Sequence, residues 1–479
     1  MDRLSPLDET FLHVEDDVTH MHLGSVARFE GPPPAHDEVL AVIESKLHLA
    51  PRYRQRVRFT PLAIGRPAWV DDPHFRLDYH VRRTALPAPG GDEELRRLVG
   101  RVMSHQLDRA RPLWELWIVE GLADGCWGMI SKLHHAMVDG VAASSLITVL
   151  MDPERDPPRP DPVPWTPAPE PRGVELVAGA LADGARWPLR EARSVARTAR
   201  DPAGFGLLLA ATLQGLAAYA GIARPPEATS LNGAIGPHRR WDWARARLSD
   251  VKEIRTALGG TVNDVVLTAI SGGLRALLES RGEPADRSLR SLVPVSVRAK
   301  DETGRYDNKV SAMFADLPVD VADPVARLGA VSAQMRHLKE THEAVAGEVL
   351  TSLAGFAPEA LLALAARVAT RTPQRNVNTV TTNVPGPQIP LYVVGRRMLE
   401  SFPYVPLGGH VRVGIAIYSY DGGLGFGVTG DYDTAPDIHV LCAGIEHGME
   451  ALLAAARERE PATGARQRPP SPRRAPARR

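Results

Sequence analysis

The sequence predicts a mixed α/β protein built in two halves. Three observations carry this expectation. The chain has 479 residues, which as a prior corresponds to two to four domains or one large two-lobed unit. Strand-period and helix-period signals occur in both the N-terminal and the C-terminal part. Between those parts lies Asp152 to Gly173, with nine prolines in 22 residues. Proline at that density excludes helix and sheet interiors, so the stretch reads as an extended linker.

Cys126 to His135 alternates, with Trp127, Met129, Ser131 and Leu133 on one face of a predicted strand. After the proline-rich stretch an alanine-rich helical zone runs from about Val174 to Ala223, closed by Pro225 and Pro226. Thr261 to Leu277 has helical period: Val262, Val265, Val266, Ala269, Ile270, Gly273, Leu274 and Leu277 share a face. Val411, Val413, Ile415 and Ile417 alternate, Asp421-Gly422-Gly423 makes a turn, and Leu424, Phe426 and Val428 alternate again, which is a hairpin pattern. The expected division is 1–151 as an N-terminal lobe, 152–230 as linker and apolar connector, 231–460 as a C-terminal lobe, and 461–479 as a disordered basic tail with six arginines and no acid.

Composition is that of a globular protein, 44% hydrophobic and 24% charged. Lys plus Arg and Asp plus Glu are 57 each, and this balance disfavours general nucleic-acid binding. Two cysteines, Cys126 and Cys442, exclude a disulfide framework and a four-cysteine zinc site. Met1 to Asp17 holds six acids and no apolar run, so no secretory signal is read and a cytoplasmic location is expected. Ala203 to Ala223 carries no charge over 21 residues. A helix there is long enough to span a bilayer, but its four glycines favour a buried or membrane-surface helix.

His134-His135-Ala136-Met137-Val138-Asp139-Gly140 is the sharpest chemical feature, placed where a strand ends and a helix begins. If the strand runs through His135, the two rings point to opposite faces and His135 shares the side of Leu133 and Met129. Imidazole titrates near neutrality and suits general-base work on a hydroxyl; a pair of structural histidines is the alternative. Asp139 reads as an N-cap or as the partner of an arginine, and Gly140 as a tight-turn residue. Ser144 and Ser145 lack a GxSxG elbow, which argues against serine hydrolysis.

Together with Pro6-Leu7-Asp8 and Phe11, Arg111-Pro112-Leu113-Trp114-Glu115, Asn263-Asp264-Val265-Val266-Leu267, Pro294-Val295-Ser296-Val297-Arg298 and Asn383-Val384-Pro385-Gly386-Pro387 in this order, the HHxxxDG motif resembles that of the bacterial wax ester synthase/diacylglycerol acyltransferases. The resemblance runs from about Leu4 to Leu453. It implies two chloramphenicol acetyltransferase-like α/β lobes with a substrate channel between them. It implies His135 as general base, with His134, Asp139 and Asn263 in the catalytic set, and with Gly140, Asp264, Asn383, Pro385 and Gly386 near substrate; Thr261 and Asp264 also read as a helix capping box, and Asn383 to Pro387 as a turn that only connects two elements. Pro112, Leu113 and Trp114 would be scaffold, and Arg298 the partner of Asp139 across the lobes. The substrates implied are fatty acyl-CoA and either diacylglycerol or a long-chain fatty alcohol, with no cofactor and no metal. Such apolar substrates imply peripheral contact with the inner face of a membrane or a lipid droplet, through Ala203–Ala223 or Phe356–Arg371. Oligomeric state and acceptor preference stay open. A carrier-protein-dependent condensation enzyme and a non-catalytic lipid-droplet protein are the alternatives.

Overall fold

A computed structural model describes residues 2–63, 65–137, 150–182, 229–296, 310–342 and 377–459. Asp139, Gly140, Arg298, the Ala203–Ala223 and Phe356–Arg371 segments and the 461–479 tail lie outside the described residues.

The N-terminal part contains β1 (Asp2–Arg3), β2 (His22–Phe29), β3 (Gln55–Arg58), β4 (Ala68–Asp71), β5 (Val81–Ala85), β6 (Trp114–Glu120) and β7 (Trp127–His134). Its helices include α1 (Pro6–Val14), α2 (His36–Lys46) and α3 (Asp92–Ser104). The C-terminal part adds β8 (Arg239–Arg247), β9 (Leu289–Ser296), β10 (Val310–Leu317), β11 (Thr379–Pro385), β12 (Tyr392–Val393), β13 (Arg396–Tyr404), β14 (Val413–Tyr420) and β15 (Gly423–Asp431). Its helices are α4 (Leu248–Leu258), α5 (Val262–Ser280), α6 (Pro324–His342) and α7 (Ile438–Arg459).

Two six-stranded mixed sheets organise the two lobes, in the orders β12-β13-β2-β7-β6-β5 and β10-β9-β11-β14-β15-β8, and β1-β4-β3 form a separate three-stranded sheet. The expected helix appears as α5, and the expected hairpin as β14–β15, turning at Asp421 and Gly422 with φ of 42° and 83°. Positive φ at both positions is what a two-residue hairpin turn demands. The apolar stripe of α7, with Leu441, Cys442, Ile445 and Leu452, packs into the same core as Ala269, Ile270 and Leu274 of α5.

β7 is central in its sheet, and both of its faces are buried. Trp127 and Met129 enter the cluster with Phe29, Tyr53 and Trp114, while Ile130 enters the opposite cluster with Val99, Met103, Trp243 and Phe402. Trp114 and Trp117, three apart on β6, pack on opposite sides of the strand.

Sheet membership does not follow the division by sequence. β12 and β13, from within 231–460, extend the sheet of the N-terminal lobe, with β13 running antiparallel to β2 from Met398↔Phe29 to Tyr404↔Gly24. β13 also lies against β15: a Cβ at Gly427 would sit 1.6 Å from the Pro403 carbonyl oxygen. The seam is aromatic as well, with Trp243 stacked on Phe402 at 5.3 Å and Arg96 of α3 lying 4.2 Å over Trp243 while bonding Asp242 at 2.5 Å.

Residues 152–172 form no helix or strand, and side chains pin them to the N-terminal lobe. Lys46 Nζ donates to Asp152 at 2.5 Å, Trp165 meets Phe75 edge-on at 6.1 Å, and Glu170 pairs with Arg56 at 2.9 Å.

Gly427→Ala is expected to lower stability by about 1–3 kcal/mol, because the packed sheets cannot part without strain. The urea midpoint of the full chain measures it, and an unchanged midpoint would refute the close approach.

Candidate active site

The local sequence sets the strand end that carries the histidines. β7 pairs with β2 through His22↔His134 and with β6 through Trp114↔Leu133. The His134 N–H donates to the Leu113 carbonyl at 2.9 Å, and the His135 N–H donates to the Met21 carbonyl at 2.7 Å. The strand ends at His134, one residue before the expected end, and His135–Met137 form a 3-10 turn. The two rings still part company. His134 is fully buried and faces Glu15, while His135 is half-buried and stacks on Phe11 at 3.8 Å with 27° between the planes. Phe11 is delivered by α1, which Ser5 caps by accepting the Asp8 N–H at 3.1 Å, with Pro6 in the first turn.

Burial pushes His135 down to about 4. At neutral pH it is therefore an uncharged imidazole able to accept a proton. Its Nδ1 is buried and has no hydrogen-bond partner among the described residues.

Leu113 serves the site through its carbonyl, and Pro112 and Trp114 are buried scaffold. The Trp114 Nε1–H donates to the Tyr53 carbonyl at 2.9 Å, and its ring stacks on His80 at 4.6 Å.

In the other lobe Thr261 and Asp264 close a capping box: the Thr261 N–H donates to Asp264 Oδ2 at 2.8 Å, and the Asp264 N–H donates to Thr261 Oγ at 3.2 Å. Asp264 is thereby committed to the helix start. Its Oδ1 is buried without a hydrogen-bond partner among the described residues. Asn263, in the first turn, accepts from Asn383 Nδ2 on β11 at 3.2 Å, so two motifs 120 residues apart meet. Gly386 follows β11 where a Cβ would lie 2.2 Å from the Ser419 carbonyl oxygen, and its N–H donates to Ser419 Oγ at 3.1 Å. Pro385 is the exposed last residue of β11.

Sequence reasoning missed a set of charges behind the histidine turn. Glu15, at the end of α1, has a side chain only 3% exposed and accepts from Arg109 Nε at 2.9 Å and Nη2 at 2.6 Å. His22 Nε2 stands 3.3 Å from Glu15 Oε1 and is also 3.3 Å from the Leu107 N–H, which donates to it. One nitrogen cannot accept from the amide and donate to the carboxylate at once, and Glu15 Oε1 makes no hydrogen bond among the described residues. Burial pushes the Glu15 carboxyl up, but the contacts from His134 and Arg109 outweigh it and hold the group well below the usual carboxylate range. Burial pushes His22 down to about 3. Lys132, also fully buried, donates to the carbonyls of Val102, at 2.9 Å, and His105, and burial lowers it to about 8. The available signal was the cluster His20-Met21-His22 beside Glu15, but its partners Arg109 and His134 lie about a hundred residues on.

A cavity of about 610 Å³ opens between β13, the β14–β15 hairpin and α7, lined among others by Arg245, Glu400, Tyr418 and Glu446. No residue of the histidine turn lines it.

Two mixed α/β lobes that share β13 are also the fold of solved condensation domains. The first condensation domain of the calcium-dependent antibiotic synthetase superposes with a TM-score of 0.56 over 94% of this chain and 96% of that one, at 16% identity. The wax ester synthase/diacylglycerol acyltransferase from Marinobacter aquaeolei VT8 superposes with a TM-score of 0.67 over 95% and 100%, at 26% identity. Residues 4–266 match the wax ester synthase/diacylglycerol acyltransferase catalytic domain, and residues 306–453 match the C-terminal domain of the same family. A probable diacylglycerol O-acyltransferase of Mycobacterium tuberculosis, tgs1, is 38% identical over 463 residues, covering 96% of this chain and 97% of the relative. The chain belongs to the wax ester synthase/diacylglycerol acyltransferase family.

Two predictions follow from the site's ionisation and capping. His135 and His22 bind protons below about 4 and about 3 when folded, against 6.5 as the ordinary value. The unfolded chain therefore binds more protons as pH falls below 6.5, and stability is lost over that window. Glu15, held low, loses its contribution in the same direction at still lower pH. The urea midpoint should thus fall steadily from pH 6.5 to 4, and less steeply in His135→Gln; equal slopes would contradict the burial of His135. Thr261→Ala should cost about 1 kcal/mol through loss of the cap, read from thermal unfolding.

Proposed function

We propose that this protein transfers a fatty acyl group from acyl-CoA to the free hydroxyl of diacylglycerol, forming triacylglycerol, with long-chain fatty alcohol as a second acceptor that would give a wax ester. The observation that carries the reading is His135, held uncharged and half-buried on a turn at the end of β7 in the family's HHxxxDG position. The name of the mycobacterial relative, a probable diacylglycerol O-acyltransferase, favours diacylglycerol as the acceptor.

In this reading the acceptor hydroxyl gives its proton to His135 as its oxygen bonds to the thioester carbonyl carbon. The tetrahedral intermediate collapses, the carbon–sulfur bond breaks, and the CoA thiolate takes the proton back from His135. The scheme calls for no cofactor, metal or covalent acyl-enzyme. The Asn263 amide, at the start of α5 and linked to Asn383, is the candidate donor for the developing oxyanion. Asp139 and Gly140 complete the motif, and Arg298 is assigned as the partner of Asp139. Substrates this apolar place the enzyme at the cytoplasmic face of a membrane or at a lipid droplet, by peripheral contact.

Purified protein is mixed with palmitoyl-CoA, and thiol release is followed with diolein or hexadecanol in parallel. Acceptor-dependent release is expected, faster with diolein, and about 10²–10⁴-fold slower in His135→Ala. Release that persists in the variant would mean that another group is the base. No release with either acceptor, from folded protein, would overturn the acyl-CoA reading.

A further inference from the structure

The acyl-transfer scheme leaves the buried charges behind His135 without a task. Their geometry supplies one. His22 and His134 are directly opposite residues of β2 and β7, so the sheet presents both rings on the same side. Both rings meet the Glu15 carboxylate, His134 Nε2 at 3.4 Å from Oε2 and His22 Nε2 at 3.3 Å from Oε1. Arg109 holds that carboxylate from the other side and donates a further bond to the Leu12 carbonyl at 2.9 Å, which ties the clamp to the body of α1. α1 also carries Phe11, the ring on which His135 stacks.

The other edge of His134 faces the catalytic turn. The Ala136 N–H donates to His134 Nδ1 at 3.1 Å. Nδ1 is thus an acceptor, and a neutral imidazole with Nδ1 accepting carries its single proton on Nε2, which lies 3.4 Å from Glu15 Oε2 as a charge contact without a closed hydrogen bond among the described residues. With the proton on Nδ1 instead, two N–H groups would oppose each other across 3.1 Å. The turn would then have to open, and His135 would leave its place against Phe11. A carboxylate that fixes the tautomer of one histidine can in this way set the position of the next residue's ring.

We propose that Glu15, clamped by Arg109, is a positioning residue for acyl transfer: it keeps the His134 proton on Nε2, so that Nδ1 accepts the Ala136 N–H and fixes the turn bearing His135. This inference rests on the reading of His135 as general base. Glu15 does not touch the reacting atoms and acts through His134.

The test uses the full chain labelled with nitrogen-15 histidine, with the His134 signals identified by their loss in His134→Gln. In the unsubstituted protein His134 should show a protonated Nε2 and an unprotonated Nδ1. Glu15→Gln keeps the side chain's size but removes its charge and presents an amide that can meet the ring as donor or acceptor. It should give a mixture of His134 tautomers and lower kcat by about 10–100-fold, as the loss of a ligand-orienting partner does elsewhere, with KM for palmitoyl-CoA within about twofold. A general loosening of the fold would not give this tautomer change and kcat-against-KM split together. A protonated Nδ1 in the unsubstituted protein overturns the proposal, as does a Glu15→Gln enzyme with both kcat and tautomer unchanged. Should Glu15→Gln fail to fold by circular dichroism, the tautomer of the unsubstituted protein decides alone. His135→Ala run beside it separates the two readings: full activity there removes the base, whereas an inactive His135→Ala with an unaffected Glu15→Gln removes only the positioning role.

Discussion

Eight consecutive antiparallel pairs, from His22↔His134 to Phe29↔Trp127, hold β2 against β7, and the candidate site hangs on this register. A slip of one residue would turn every side chain of β7 to the other face. Trp127 and Met129 would leave one core cluster, Ile130 would leave the other, and His134 would face away from Glu15. Because β7 is buried on both sides, each alternative register exposes or misplaces apolar surface on two faces at once. The histidine turn inherits that precision. His135 begins where the ladder stops, and its N–H is still bonded to Met21, the residue before β2.

The second constraint is the exchanged strand. β13 completes the N-terminal sheet on β2 while its carbonyls press against the glycines of β15. β2 thus touches the histidine turn on one side and the inter-lobe seam on the other. Aromatic packing of Trp241, Trp243 and Phe402 and the Arg96–Asp242 pair add to the same seam. Two lobes that share a strand are harder to part than two domains joined by a linker, since separation would break a hydrogen-bonded ladder. The residues 152–172 contribute in a smaller way, pinned along the N-terminal lobe by Lys46, Phe75 and Arg56.

Electrostatics divides the histidines by task. Burial keeps His135 uncharged, while the buried anion nearby belongs to Glu15, which faces His134 and His22. A negative charge lying directly against a base would raise its pKa and favour its protonated form. The carboxylate lies one histidine away, against His134 and His22, so its charge does not lie directly against His135.

Much of the fold was legible in the sequence because it rests on local patterns. The alternation around β7, the β14–β15 hairpin with its Asp421-Gly422 turn, and α5 with its Thr261–Asp264 capping box are all written within windows of about ten to twenty residues. So were the histidine pair and the Asn263 and Asn383 motifs. What could not be read are the meetings of residues distant in sequence. These are β12 and β13 joining the other lobe's sheet, Asn383 donating to Asn263, and Glu15 gathering Arg109, His22 and His134. The sequence by itself determined elements such as β7, the β14–β15 hairpin and α5, and which family the motifs resemble, since periodicity and turn chemistry act between near neighbours. Only the tertiary structure decided which charges are buried together, because a carboxylate such as Glu15 looks like any surface acid until long-range pairing closes water out around it.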